Sequence, residues 1–577
     1  MAASHDGIGF QSLSSTWKKR KSLVEEKEAP ISMPPLIWRW LISRGLNEED
    51  KIEKFLAPSL NSLTHPFKLS GMEQAVERLI LAHVNQEKIC VYGDYDLDGS
   101  SGIALLVDGL KRLGFNNVSF YQPSRFLEGY GIHAEALEVI AQRGDKIVIS
   151  VDCGITAIEE AKKAKTLGLD LIVTDHHLAR QENGEELIPE ALAVINPNQR
   201  GCLSGLGHLS GVGVGFFLLL GIKSVLRDVK CDLKPCLDLF CIGTITDMVP
   251  LRAENRILVK HGLRILSQTK RPGLKALLTR VNLWGRDLDS TDIGFTLAPK
   301  LNALSRLELG IRPLDVMMCD DPKAGEILAE QVIALNDKRK DLQKELEGKI
   351  LAQLDTEKNK PVIVLQAHGH AGVVGLVATK VSQLTGKAAF IVALSEDQGI
   401  GSARGKEEDN LPQALASAAS HLERFGGHAQ AAGFSLRAES FDAFKLAISD
   451  HYKENYFQQE AFEKVYDTEA KLTEFSEAFM SWLKSAGPFG TENPNPLFRI
   501  TNPIVSEVKW LKNQHLKLVL SENGLNYEAL AFFAQGQYQV KKGENIELLA
   551  EPSWNYFRGR RKLQFLIRDL KPLQVKF

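Results

Sequence analysis

The 577-residue sequence predicts an α/β fold: a mostly parallel sheet, a long bridging helix, a second α/β domain and a small C-terminal β-barrel. Three features predict it. Short apolar runs alternate with helical periodicity from Lys88 to about Val249, as in a parallel sheet with helices on both faces. The charged stretch Asp321–Asp355 keeps apolar residues at helical spacing over more than thirty residues. From Arg499 to Phe577 hydrophobic and polar residues alternate, as in Leu516-Lys517-Leu518-Val519-Leu520, over a length that suits a small barrel. At about 150 residues per domain, the chain has room for three or four such units.

In chain order, residues 1–80 read as an irregular N-terminal arm followed by helices, with Pro30, Pro34 and Pro35 punctuating the entry. The first α/β domain spans 81–320. Its strands are expected at Ile89–Tyr92, Val118–Tyr121, Ile147–Val151, Leu171–Thr174, Leu192–Ile195 and Leu239–Ile245. Helices are expected at Ile103–Leu113, Ala134–Arg143 and Ala157–Leu167. Residues 321–355 form the bridging helix. The second α/β domain covers 356–460, with strands at Val362–Leu365 and Ala388–Ala393 and glycine-rich turns at Gly399-Ile400-Gly401 and Gly426-Gly427. A linker and the barrel fill 461–577.

A composition of 44% hydrophobic and 25% charged residues excludes disorder over most of the chain, a collagen and a small disulfide scaffold. The seven cysteines form no C-x-x-C pair and read as buried thiols of a reducing cytosol. Trp17-Lys18-Lys19-Arg20-Lys21 is basic, but no apolar stretch follows it, so no secretory signal is expected. No run of about 18 apolar residues occurs, so no membrane span is expected either. A net charge of −2 argues against a uniformly basic nucleic-acid coat. Yet residues 499–577 hold 13 Lys+Arg against 7 Asp+Glu, a net of +6 set against −8 elsewhere. The barrel is the expected place for an anionic partner.

Chemistry concentrates in Gly93-Asp94-Tyr95-Asp96-Leu97-Asp98-Gly99, directly after the strand Ile89–Tyr92. Carboxylates at alternate positions repel one another unless hard divalent cations neutralise them. Asp152 follows the strand Ile147–Val151, Asp175-His176-His177 follows Leu171–Thr174, and Asp247 follows the strand expected at Leu239–Ile245. Open α/β sheets bind ligands at such carboxyl ends. Four strand ends bearing Asp and His suggest a two-metal site, suited to Mn²⁺ or Mg²⁺, with imidazole favouring Mn²⁺. Two such ions a few ångströms apart serve in-line displacement at phosphorus. A calcium EF-hand is disfavoured, because Gly99 leads into an apolar helix with no Glu at the twelfth loop position. Gly205–Gly215 has the Gly-x-Gly spacing of a dinucleotide site, but the acidic cluster already occupies the sheet edge. Close helix packing, or a backbone near the site, is the better account.

These four segments resemble the motifs of the DHH phosphoesterases, and their order and spacing are similar to the single-strand-specific exonuclease branch of that family. The resemblance extends over most of the chain through Leu209–Val214, Leu301–Arg306, Gly401–Arg404, Arg424–Gly433 and Gly487–Pro494. It implies that Asp96, Asp98, Asp152, His176 and Asp247 ligate two divalent cations, with Asp94 in or beside that shell. By the same resemblance Asp175 orients His176, and His177 faces the scissile phosphate as electrophile or proton donor. One departure stands out: many family members have His where this chain has Tyr92.

Gly401-Ser402-Ala403-Arg404 and Gly426-Gly427-His428 combine backbone amides freed by glycine with donors, Ser402, Arg404 and His428, that match phosphate oxygens. The resemblance identifies 356–460 as the DHH-associated nucleic-acid-binding domain. It implies that Arg306, Ser402 and Arg404 grip a 5′-terminal phosphate, which would give 5′→3′ polarity and release of mononucleotides. In the OB-like barrel, Trp510, Lys512, His515, Lys517, Trp554, Tyr556, Arg558, Arg560 and Arg561 mix aromatic and basic residues, as a platform for a single strand requires. Aromatics at alternating strand positions also serve as core.

The expected function is that of a cytoplasmic, metal-dependent 5′→3′ exonuclease on single-stranded DNA, acting in recombination and repair as a monomer. A single-strand-binding protein and recombination helicases are partners implied by the resemblance. Two alternatives are a DHH phosphodiesterase acting on short oligonucleotides or cyclic dinucleotides, and a catalytically silent DNA-binding subunit.

Overall fold

Ile89–Gly93 and Ile147–Val151 are apolar apart from Ser150 and the Tyr92 hydroxyl, and every residue in them is buried, as strands covered on both faces require. The structure, a computed structural model, describes residues 16–22, 24–25, 28, 30, 33–125, 127–226, 229–307, 310–454, 463–557 and 560–573. It divides into two compact units. One comprises His65–Asp247 and His261–Gln458, the other Met1–Thr64, Met248–Lys260 and Gln459–Phe577.

In the first of these, five parallel strands lie in the order Val118–Tyr121, Ile89–Gly93, Ile147–Val151, Asp170–Thr174 and Ala193–Ile195. Winding therefore reverses between Ile89–Gly93 and Ile147–Val151. A crevice opens at such a switch point, beyond the carboxyl ends of the two strands. Ala134–Gln142 and Ile158–Thr166 cover one face, packing Leu137, Ile140, Ala161 and Ala164 against Cys90, Tyr92, Val148 and Val173. Leu97–Arg112 and Gly211–Val225 cover the other.

Two expectations are corrected in this sheet. Leu239–Ile245 is not a strand: Leu237–Thr246 is an α-helix with Leu239, Phe240, Cys241 and Ile242 all buried. A helix buried on every side is apolar on every side, so no helical period survives to be read. The helix expected from Ile103 starts at Leu97, because Asp96 caps it, its Oδ1 accepting the Gly99 N–H at 3.0 Å. Asp98 and Gly99 are thus the first turn of a helix.

Pro322–Glu357 is one helix of 36 residues, about 54 Å long at 1.5 Å per residue. Asp321 caps it by accepting the Ala324 N–H at 2.7 Å. Its later turns lay Leu346, Ile350 and Leu354 against a second sheet. That sheet runs Arg424–His428, Ala431–Arg437, Gln398–Arg404, Ala389–Ser395 and Ile363–His368, and only the last pair is parallel. Here too the structure corrects the sequence. Gly399, Gly401, Gly426 and Gly427 lie in strands, not turns. At Gly401 the Phe434 ring fills the place of a side chain. Gln398–Arg404 is paired on both edges, so its amides serve the sheet and are not free for a ligand.

In the other unit, Phe498–Leu511, His515–Glu522, Leu525–Ala531, Arg560–Pro572 and Asn545–Phe557 pair in that order, and the last pairs back with the first to close a barrel. Alternate residues Leu516, Leu518, Leu520, Ile546, Leu548 and Phe565 point inward. Trp40 of helix Pro35–Ser43 and Phe479 of Glu477–Ala486 join the same core. Thr16–Lys19, within the stretch read as an arm, pairs in parallel with Glu463–Tyr466. There Trp17 Nε1 donates to Asp569 at 2.9 Å and Arg20 to Asp467 at 2.7 Å. All seven cysteines are free thiols, and among the described residues no helix is long and apolar enough to cross a membrane.

Candidate metal centre

Three strand ends and one helix end, rather than four strand ends, deliver the acidic and imidazole groups. Asp94 follows Ile89–Gly93, Asp152 follows Ile147–Val151, Asp175 to His177 follow Asp170–Thr174, and Asp247 ends the helix Leu237–Thr246. Asp94 and Asp152 are 4% and 3% exposed. His176 Nε2 lies 3.2 Å from Asp152 Oδ1 and 3.5 Å from Asp247 Oδ2. Ligand atoms come within 4.8 Å of one another in three sets: Asp94, Asp96 and Asp152; Asp98, His176 and Asp247; Asp152, His176 and His177.

Asp94 Oδ1, Asp152 Oδ1, His176 Nε2 and Asp247 Oδ2 are all buried without a hydrogen-bond partner. Unpaired polar atoms of this kind are strongly destabilising in an apolar interior. Burial and the Asp96 charge lift Asp94 and Asp247 to about 7. Burial and neighbouring carboxylates raise Asp98 and Asp152 well above the usual range. Burial, with His177 alongside, pushes His176 down to about 4, leaving it neutral with a lone pair to give. Oxygen donors with one imidazole suit Mn²⁺ or Mg²⁺, and these residues can hold them.

The backbone supports the cluster. Asp98 accepts the Gly211 N–H at 2.6 Å and the Val212 N–H at 3.2 Å, from the amino end of Gly211–Val225. The Gly205–Gly215 run is therefore a backbone close to the site. A Cβ on Gly211 would sit 2.5 Å from the Asp152 Cβ, so only glycine fits. Asp152 itself has φ +62, a left-handed backbone that few residues other than glycine adopt.

Asp175, fully buried, does not hold the His176 ring as expected. Its Oδ1 lies 2.8 Å from His177 Nδ1 and accepts the N–H of His176 and His177, while Oδ2 accepts the Ile155 N–H. Only the second imidazole folds back on the carboxylate, while His176 meets it through its backbone N–H. Burial opposes charge on His177, but the Asp175 hydrogen bond and charge, with the Asp247 and Asp98 charges, together outweigh it and lift His177 to about 9. Several supports were not read from the sequence. Asn198 and Asn196 donate to the carbonyls of His176 and His177 at 2.6 and 2.8 Å, Gln122 donates to the Asp94 carbonyl at 2.9 Å, and Tyr130 reaches His177. Asn196 and Asn198 follow the strand Ala193–Ile195 at the same sheet edge, a position that could have pointed to them. Tyr92, at the departure from the family pattern, is fully buried, and its hydroxyl donates to the Gly131 carbonyl at 2.9 Å.

A second cluster is basic. Arg404 donates to Ser402 Oγ at 2.7 Å, and Arg306 to the Gly372 carbonyl at 3.3 Å. Burial and the like charges of Arg125, Arg339 and Arg404 push Arg306 down to about 10, and burial with Arg125 lowers Arg404. Guanidinium groups gathered in this way can hold an anion. Arg125 and Arg339 were missed because neither stands in a glycine-rich or motif-bearing segment. Gly375 is tied to this cluster, since a Cβ there would meet Arg404 and Ser402 at 3.0 and 3.3 Å. Gly427 and His428 are set apart, on the exposed edge strand. His428 shares a cross-strand row with Arg404, one strand away.

On the barrel, Trp510 is 39% exposed, and Phe532 and Phe533, not singled out from the sequence, are 56% and 68% exposed. The His515 ring meets both phenylalanines edge-on, at 5.4 and 4.9 Å, and Phe533 has φ +54. Arg561 lies over the Trp554 ring at 4.7 Å, Lys517 pairs with Glu528, and Arg558 lies outside the described residues.

Family models match three segments: the DHH family N-terminal domain at 88–244, the DHHA1 domain at 358–454 and the RecJ OB domain at 466–569. The single-stranded-DNA-specific exonuclease RecJ of Bacillus subtilis is 33% identical over 96% of this chain and 69% of its own. That of Salmonella typhimurium is 33% identical over 96% and 99%. The crystal structure of RecJ in complex with Mn²⁺ from Thermus thermophilus is similar at a TM-score of 0.79 and 28% identity, covering 97% of this chain and 80% of that one.

Proposed function

Since the chain belongs to the RecJ family of single-stranded-DNA-specific exonucleases, we propose that it degrades single-stranded DNA from the 5′ end, releasing 5′-mononucleotides, in recombination and repair. One observation carries the reading: four buried, unpartnered donor atoms on Asp94, Asp152, His176 and Asp247 converge, with Arg125 near enough to favour the Asp94 charge. Asp94, Asp96, Asp98, Asp152, His176 and Asp247 hold two divalent cations. When bound, such a pair supplies activation of water and stabilisation of charge at the scissile phosphate.

His177 keeps a proton at neutral pH and presents it to the scissile phosphate, with Asp175 fixing its ring. Arg306, Arg404 and Ser402 hold the 5′-terminal phosphate. A fixed anchor places the first phosphodiester at the metals, which accounts for polarity and for mononucleotide products. Exposed aromatics and the net +6 of the barrel support its role in holding the rest of the strand without reading its sequence. A single-strand-binding protein and recombination helicases are the proposed partners, the cytoplasm the proposed compartment and the monomer the proposed state. A catalytically silent subunit would have shed metal carboxylates, and all are present.

Asp98→Ala and His176→Ala are expected to lower nucleotide release by about three orders of magnitude, some 4 kcal/mol of transition-state stabilisation, while binding to a single strand persists. Full residual hydrolysis with Mn²⁺ would sink the reading.

A further inference from the structure

Tyr130 has no role in the chemistry above, yet it reaches the centre. Its phenol oxygen lies 3.1 Å from His177 Nδ1 and 3.4 Å from the Asp152 carbonyl oxygen, and its ring meets the His177 ring edge-on at 5.6 Å. Asp175 Oδ1 lies 2.8 Å from the same Nδ1. An ionised carboxylate can only accept, so Nδ1 carries the hydrogen. The phenol oxygen receives a second branch of that bond and gives its own hydrogen to the Asp152 carbonyl. His177 is held from two sides, and Nε2 is left as its free nitrogen.

Gly129 and Gly131 flank Tyr130 with φ +89 and +103, conformations that favour glycine. The Gly129 N–H is tied to the Ser124 carbonyl at 3.0 Å, and Tyr92 holds the other side. Fully buried and stacked on Tyr121 at 5.4 Å, it donates its hydroxyl to the Gly131 carbonyl at 2.9 Å. The residue at which this chain departs from the family pattern thus reaches the next residue after Tyr130 and not a phosphate.

We propose that Tyr130 is a positioning residue for His177, and that Tyr92 fixes Tyr130 through Gly131. The inference rests on the exonuclease reading and adds two residues to it.

The test uses the full chain, Mn²⁺ and a 5′-phosphorylated single strand. Tyr130→Phe is expected to lower kcat about tenfold, with KM and the Mn²⁺ concentration for half activity unchanged. Tyr92→Phe is expected to lower kcat less, in the same manner. In a His177→Ala background, Tyr130→Phe should leave the residual rate as it is, whereas a residue that only supports the fold would weaken both backgrounds equally. Wild-type kcat for Tyr130→Phe, or an equal further loss without His177, overturns the proposal. If Tyr92→Phe lowers Tm, the Tyr130 arm decides, since it removes one oxygen from a side chain that is 45% exposed. A readout free of activity is the His177 Nδ1 proton resonance, identified by its loss in His177→Ala. It should move in Tyr130→Phe, and an unmoved signal also overturns the proposal. A wild-type chain that releases no nucleotide would overturn the exonuclease reading instead, with the resonance still deciding on Tyr130.

Discussion

His176 and His177 are neighbours in sequence, and their surroundings drive them to opposite charges. Burial beside His177 keeps His176 neutral, near 4, while Asp175 lifts His177 to about 9. Asp94 and Asp247 reach about 7 through burial and the Asp96 charge. An unfolded carboxyl titrates near 4. In the folded, metal-free chain these groups bind protons that the unfolded chain has released, so stability falls as pH rises through about 7. His177, raised above its unfolded value, loses its contribution in the same direction above about 6.5. His176, depressed, costs stability below that value, and the cost fades as pH rises from about 4. A chelated sample should therefore melt at a lower temperature at pH 8 than at pH 6.5. Mn²⁺ should raise Tm more at pH 8, where fewer protons must leave. Equal Mn²⁺ shifts at both pH values would contradict this account of the carboxylates. The pattern of acidic positions was legible in the sequence, because each follows an apolar strand or helix. Which carboxylate holds which imidazole was not, since it depends on the side-chain geometry of Asp175 and His177 in the fold.

Gly211–Val225 shows how an element contributes what no side chain can. Its first amides point at Asp98, where the positive end of the helix favours negative charge. Gly211→Ala would push Asp152 out of place and is expected to raise the Mn²⁺ concentration for half activity about tenfold. Metal titrations of activity at fixed DNA check this, and an unchanged midpoint would refute it. The Leu237–Thr246 helix, which carries Asp247 at its end, was misread as a strand because a fully apolar run has no period. The bridging helix Pro322–Glu357 was legible because its one-sided apolar pattern and Asp321 cap are local signals.

At the scale of the molecule, near-zero net charge conceals a division between an acidic catalytic portion and a basic barrel. Deleting residues 499–577 would strip the core from Trp40 and Phe479, which pack into the barrel, so point changes are the cleaner probe. Phe533 is displayed to solvent in a left-handed backbone that disfavours a large side chain, a sign that its position serves binding. Phe533→Gly removes that strain and the ring together. It is expected to weaken binding of a long single strand about tenfold without lowering Tm. Fluorescence anisotropy and thermal melting measure the two, and a fall in Tm with unchanged affinity would make Phe533 structural.

The sequence by itself determined the parallel strands from Ile89 to Ile195 and the helices between them, the long connecting helix, the alternating barrel strands and the acidic residues at the sheet edge. All of these follow from burial and hydrogen bonding over short stretches of chain, which periodicity records. Tertiary structure alone decided the rest. Thr16–Lys19 finds its partner strand at Glu463–Tyr466, Arg125 and Arg339 join Arg306 and Arg404, and Tyr92 reaches Gly131 to secure Tyr130 beside His177. Such contacts join residues far apart in the chain. Packing sets them, and no local pattern carries the information.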